Sequence, residues 1–316
     1  MNKPVRIVFG ETVKLLANQY NFLACNADTK CCAFEDFGEY YPEREFSIGI
    51  AEQNMVGIAA GLASCGNKVV LSTYSNFVIL RACEQVRTYI CNPKLNVMIM
   101  GTHAGLQTGS EGTSHTAIED IAIARAFPNF TIIQPSDNIS AIKLARLALE
   151  FEGPLYVRLP FDTVEDIHDD KYNPVIGKID TIRDFGNDVS IFVTGILLGE
   201  VLKAVNDLLS ENIKVKVLEV NTLKPIDKNK ILEVAYQTRS IVTVEDHLIY
   251  GGLGSIIAEI VTEKIPIPIK RIGIQDKFIK SANARDLYKE HKMTAKDIVE
   301  AVQEVLKLKG ELYGYK

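Results

Sequence analysis

Phe46-Ser47-Ile48-Gly49-Ile50-Ala51-Glu52-Gln53-Asn54-Met55-Val56-Gly57 sets a single acid at the head of an uncharged run, Gly57-Ile58-Ala59-Ala60-Gly61-Leu62-Ala63. The spacing predicts a helix from Glu52 to Ala63, and the helix dipole favours an acid at its start. A carboxylate among apolar residues is still costly unless something pairs with it. Glu52 is therefore either an ordinary helix-start glutamate or an acid kept for a ligand, and the rest of the chain has to decide.

Helices alternate with short apolar runs on both sides of this stretch. Before it, Glu11 to Gln19 reads as a helix; after it come a strand at Val69 to Ser72, a helix at Phe77 to Tyr89 and a buried strand at Val97 to Gly101. Ala117 to Ala126 reads as a helix and Thr131 to Gln134 as a strand; Pro135-Ser136-Asp137 opens a helix from Asn138 to Glu150, and Leu155 to Leu159 is a strand. The acidic stretch Asp162 to Tyr172, with His168 among Asp166, Asp169 and Asp170, suits an exposed linker. The alternation then restarts: strands at Val189 to Val193, Val215 to Val220, Ser240 to Glu245 and Ile265 to Ile272, with helices at Leu198 to Leu209, Lys228 to Tyr236, after Gly252-Leu253-Gly254-Ser255, and Thr294 to Leu308. Strands separated by helices of this length indicate an α/β fold with right-handed crossovers in both halves. The expected division is a first domain over 1–165, a linker over 166–186 and a smaller α/β domain over 187–316.

The chain has 316 residues, enough for two cores, and its mild net charge of -5 gives no reason to expect nucleic acid. No apolar run is long enough to cross a bilayer and no charged-then-apolar leader opens the chain, so a soluble cytoplasmic protein without membrane contact is expected. The six cysteines lack Cys-x-x-Cys spacing and read mostly as buried thiols. Neither half carries a Gly-x-Gly-x-x-Gly fingerprint or a Gly-Lys-Ser/Thr phosphate loop.

Chemistry concentrates in Thr102-His103-Ala104-Gly105-Leu106-Gln107-Thr108-Gly109-Ser110-Glu111-Gly112-Thr113-Ser114-His115, just beyond a predicted parallel strand, where α/β folds bind ligands. Its glycines allow close backbone approach, while His103, His115 and Glu111 supply hydrogen-bonding and proton-transfer groups. Tyr74 and Phe77 are either core aromatics or a stacking wall for a flat heterocycle; Arg81 and Arg87 continue this helix and either could simply pair with Glu84, although Arg81 could also reach a site. Arg158 ends an apolar strand and calls for an anion: a carboxylate and a substrate phosphate are equally good answers. His247, next to a tight glycine turn and without a serine nucleophile to serve, reads as a residue that packs against another subunit.

Taken in order, Gly49-Ile50-Ala51-Glu52-Gln53-Asn54-Met55, Thr102-His103-Ala104-Gly105, Glu111-Gly112-Thr113-Ser114-His115, Pro135-Ser136-Asp137, Leu223-Lys224-Pro225-Ile226-Asp227 and Glu245-Asp246-His247 with Gly251-Gly252-Leu253-Gly254 resemble the C-terminal section of the transketolase family. The resemblance implies a thiamin diphosphate-binding, pyrimidine-type domain followed by the small transketolase C-terminal domain. It implies that Glu52 would hydrogen-bond the pyrimidine ring, that Tyr74, Phe77 and Leu80 would flank the ring, and that His103, Glu111, His115 and Arg158 would meet the sugar or its phosphate. Cys32, with Lys30 nearby, falls where the family often has a serine touching phosphate; Leu80 stands where many transketolases have an aromatic. A thiol is the weaker donor to an oxyanion.

The Gly-Asp-Gly run of a diphosphate-binding domain is absent. The resemblance therefore implies one subunit of a split transketolase. A separate N-terminal-section chain would hold the diphosphate and most of the contacts to Mg2+ or Ca2+, and two copies of each chain would form a heterotetramer. No metal ligands are assigned within this chain. The expected activity is transfer of a two-carbon ketol unit from a ketose, phosphorylated or not, to an aldose. The alternatives are a 1-deoxyxylulose-5-phosphate synthase, a 2-oxoacid dehydrogenase beta subunit, or a non-catalytic protein that kept the fold.

Overall fold

The computed structural model describes residues 3–28 and 36–314. Lys30 and Cys32 lie outside the described residues. The first half builds a sheet from β1 (Leu23–Asn26), β2 (Glu45–Ser47), β3 (Val69–Tyr74), β4 (Val97–Ala104), β5 (Thr131–Ile133) and β6 (Leu155–Pro160). The second half supplies β7 (Asp180–Asp184), β8 (Val189–Val193), β9 (Val215–Glu219), β10 (Thr222–Lys224), β11 (Ile241–Leu248) and β12 (Ile269–Ile274). The first sheet runs β10-β5-β6-β4-β3-β1-β2 and the second β12-β11-β8-β9-β7. All neighbours are parallel except β10 against β5 and β7 against β9. This is the α/β class expected from the alternation.

The parallel strands are apolar throughout because helices cover both faces of the first sheet. On one face Val70, Met98, Met100 and Val157 pack with Val5, Phe9 and Val13 of the helix Val5–Leu15 and with Leu144 and Leu149 of the helix Asn138–Glu150. On the other, Val69, Leu71 and Ile99 join Met55 and Ala59 of the helix Glu52–Ser64. The same cluster continues without a break into Ile231, Val234 and Ile257 of the second half.

Several elements differ from the sequence expectation. The first helix starts at Val5, right after Pro4, and not at Glu11; Val5, Phe9 and Val13 form its buried stripe. The short strands β1 and β2 gave no readable alternation, since β2 has only three residues. Phe77 to Tyr89 is helical as expected and the turns run on to Cys91, but Phe77–Arg81 and Val86–Cys91 are wide π turns, a local form that recurs at functional sites. β7 falls inside the expected linker, and β10 leaves the second half to pair with β5, so the two sheets are laced together.

His168 is not exposed. Its Nδ1 lies 2.8 Å from an Asp137 oxygen and its Nε2 2.9 Å from Glu219, which ties the linker to both halves. Burial alone would lower its pKa, but hydrogen bonds to the two carboxylates raise it to about 10, so the imidazole is a cation at neutral pH. His247 packs against its own chain: its Nε2 accepts the Ala122 N–H at 3.3 Å.

Candidate active site

β3, β4 and β6 lie side by side and parallel, with Tyr74 opposite Thr102 and Ala104 opposite Pro160. Their C-terminal ends therefore deliver Tyr74, His103 and Phe161 to one place, the edge where ligands of α/β sheets bind. The rings form a continuous row. Tyr74 lies on His103 with centroids 3.8 Å apart and on Phe77 at 5.4 Å. His103 leans on Phe161 at 4.7 Å, and the Arg6 guanidinium sits 4.3 Å from the Phe161 centroid. At the other end the Arg81 guanidinium lies 4.2 Å over Phe77 and donates to a Glu52 oxygen at 2.8 Å. His115 presents its edge to both Tyr74 and Phe77. One wall thus runs from a buried carboxylate to a buried guanidinium.

Glu52 is 2% exposed, whereas its partner Arg81 is 48% exposed. The acid is fixed by the helix it opens, and the arginine reaches it from the π turn Phe77–Arg81. His103 sits at the end of β4 with a positive φ of 59°, a strained setting for a non-glycine residue. Burial first, then the charges of Arg6 and His115, push its pKa down to about 3. His103 is therefore a neutral imidazole at working pH, offering a hydrogen bond and not a charge; its Nδ1 lies 2.8 Å from the Thr102 hydroxyl. His115 has the Ser114 hydroxyl 2.8 Å from its own Nδ1. The Asn76 side-chain amide donates to the Ser114 carbonyl at 2.7 Å, linking the His115 turn to the π turn.

Most of the residues singled out in the sequence meet here. Glu52, Phe77, His103 and His115 come together with Tyr74, which is enclosed between Phe77 and His103 and so backs the wall. Leu80 is exposed on the same turn, and Glu111 is exposed on the loop.

Arg158 does not join them. It is 1% exposed, and its Nε and Nη2 meet the two oxygens of Asp120 at 2.7 and 3.2 Å. Its Nη2 also donates to the carbonyls of Ala117 and Asp246. Of the two answers left open for this guanidinium, the geometry gives the carboxylate. Burial pushes Asp120 up, yet the charges of Arg158 and His247 and the hydrogen bonds from Arg158 and Tyr156 together outweigh it and hold the carboxyl below its usual value. Arg6 was missed: its signal was a lone arginine in the first turn of a helix whose other inward residues are apolar.

Two family descriptions match the chain: "Transketolase, pyrimidine binding domain" over residues 5–165 and "Transketolase, C-terminal domain" over 177–298. A protein of Methanocaldococcus jannaschii named as a transketolase C-terminal section is 39% identical over 312 residues, covering 96% of this chain and 97% of that one. A 6-deoxy-6-sulfo-D-fructose transketolase subunit of Clostridium sp. (strain MSTE9) is 34% identical over 274 residues, covering 87% and 85%. A solved split-gene transketolase, described as an inactive beta4 tetramer, superposes with a TM-score of 0.89 at 38% identity, covering 97% and 99%.

Proposed function

The chain belongs to the transketolase family, and on that premise we propose that it is the pyrimidine-binding subunit of a split enzyme that moves a two-carbon ketol unit between sugar phosphates. The observation that carries this reading is the wall from Glu52 to Arg6, with both imidazoles set along it. The fit to thiamin diphosphate is tested by Arg81, which already makes the two contacts an aminopyrimidine needs: a flat group on the Phe77 face and a nitrogen on the Glu52 carboxylate. Because Arg81 is half exposed, it can swing into solvent and yield that place.

In this reading Glu52 hydrogen-bonds the pyrimidine ring nitrogen and fixes its tautomer, while Phe77, backed by Tyr74, holds the ring flat and Leu80 closes its rim. When bound, the cofactor supplies a carbon nucleophile that the side chains of a protein lack. His103, neutral, orients the donor's hydroxyl or carbonyl oxygen, and His115 moves the proton that leaves or joins that oxygen. Arg6 answers the anionic end of the sugar, and Glu111 reaches a substrate hydroxyl from the loop. Arg158 has no part in this, being spent on Asp120.

The diphosphate and the Mg2+ or Ca2+ fall to a second polypeptide, in a heterotetramer with two copies of each. Relatives coextensive with this chain and named as a section or subunit support that division. Mixing this chain with its partner, thiamin diphosphate and Mg2+ is expected to give transfer from xylulose 5-phosphate to ribose 5-phosphate, and either chain alone is expected to give none. Sustained turnover by this chain alone would overturn the split. Turnover of pyruvate with glyceraldehyde 3-phosphate in place of ketol transfer would move the activity to the synthase reaction.

A further inference from the structure

Between His103 and His115 the chain runs through a loop whose shape is set from the other half of the molecule. The Asp246 carboxylate, at the end of β11, accepts the Leu106 N–H with its two oxygens at 3.0 and 3.1 Å. The Tyr288 hydroxyl donates to one of those oxygens at 2.8 Å. Gly105 has a φ of 78°, and a β-carbon there would overlap the Asp246 carboxylate, so turn and acid are fitted to each other. The far side of the loop is held from the same domain: the Ala282 N–H donates to the Gly109 carbonyl at 3.2 Å and the Thr113 hydroxyl to the Ile279 carbonyl. The backbone carbonyl of Asp246 accepts from Arg158, which anchors the acid to the sheet beneath the site.

Asp246 is 2% exposed. Burying a carboxylate costs several kcal/mol in general, and an apolar filler would seal the same contact without that cost. What the carboxylate adds is direction: it fixes one N–H three residues beyond the strained His103. We propose that Asp246, steadied by Tyr288, is a positioning residue that holds the loop Gly105–Thr113 and thereby sets His103 and His115 for catalysis. This inference rests on the activity proposed above.

Hydrogen–deuterium exchange over residues 102–115 and steady-state kinetics of the reconstituted complex test it together. Asp246→Asn and Asp246→Ala are expected to speed loop exchange while the strands keep their protection. Turnover should fall about tenfold to 100-fold. The loss should lie in kcat, with thiamin diphosphate affinity holding; the thermal midpoint should drop for Asp246→Ala, which strands two buried donors, and hold for Tyr288→Phe. Tyr288→Phe, which removes one hydroxyl and keeps the packing, should show the same pattern in smaller degree, and it carries the test if the Asp246 variants fail to fold. Unchanged loop exchange would overturn the proposal, as would parallel losses of midpoint, cofactor affinity and kcat. If the wild-type complex does not turn over the sugars, the activity fails; exchange, read on this chain without turnover, still decides whether the clamp exists.

Discussion

Glu52 and Asp120 are both carboxylates drawn out of water and both answered by an arginine, yet the partners differ: Arg81 is 48% exposed and Arg158 is 1% exposed. Asp120 also accepts from the Tyr156 hydroxyl, and Arg158 spends further N–H groups on two carbonyls. That pair is sealed from water, and it pins the end of β6 to the helix Asp120–Ala126. The Glu52 pair has one end at the surface, lying on an aromatic face. An acid whose partner can leave is available to a ligand; an acid whose partner cannot leave is part of the frame.

Substitutions can break this contrast. Glu52→Gln is expected to lower ketol transfer by the reconstituted complex about 10²- to 10⁴-fold, with the thermal midpoint of the chain little changed. Asp120→Asn should do the reverse, destabilising the fold by about 3–5 kcal/mol by leaving Arg158 buried beside a neutral group, as read in denaturant titration. If Asp120→Asn were harmless to stability while Arg158→Met abolished turnover, the roles of the two pairs would be exchanged.

A third buried ionic site sharpens the picture through pH. His168 has its folded pKa raised from 6.5 to about 10 by its two carboxylates. Its contribution to stability is therefore complete below the unfolded value and is lost as pH rises through the folded one. Stability of the wild type should fall between those limits, and His168→Gln should flatten that limb at a cost of at most about 3 kcal/mol near neutrality. His103 has the opposite sign. Its folded pKa, near 3, lies below the unfolded 6.5, so stability should decline as pH drops from 6.5 toward 3. The smallest effect is expected from Arg81→Met: removing a half-exposed partner worth up to about 1 kcal/mol should tighten thiamin diphosphate binding about fivefold at most, by calorimetry.

How much of this was legible in the sequence follows from the range of each contact. The Glu52 helix and the His103-to-His115 loop are continuous runs, and continuous runs can be read. Tyr74, His103 and Phe161 meet because β3, β4 and β6 are neighbours, and strand order is not written in any one of them. The choice between salt bridge and phosphate for Arg158 depended on Asp120, 38 residues away, and the hold of Asp246 on Leu106 spans 140. His168 looked exposed because its immediate neighbours are acidic; its partners Asp137 and Glu219 come from two other parts of the chain.

In the proposed function Glu52 serves the cofactor and not only the fold. That role is tested most directly by the exchange of the thiamin diphosphate C2 proton for deuterium in the reconstituted complex, followed by proton NMR without any sugar present. Exchange is expected to be about 10²- to 10⁴-fold slower in Glu52→Gln than in the wild type; equal rates with cofactor fully bound would remove Glu52 from that role.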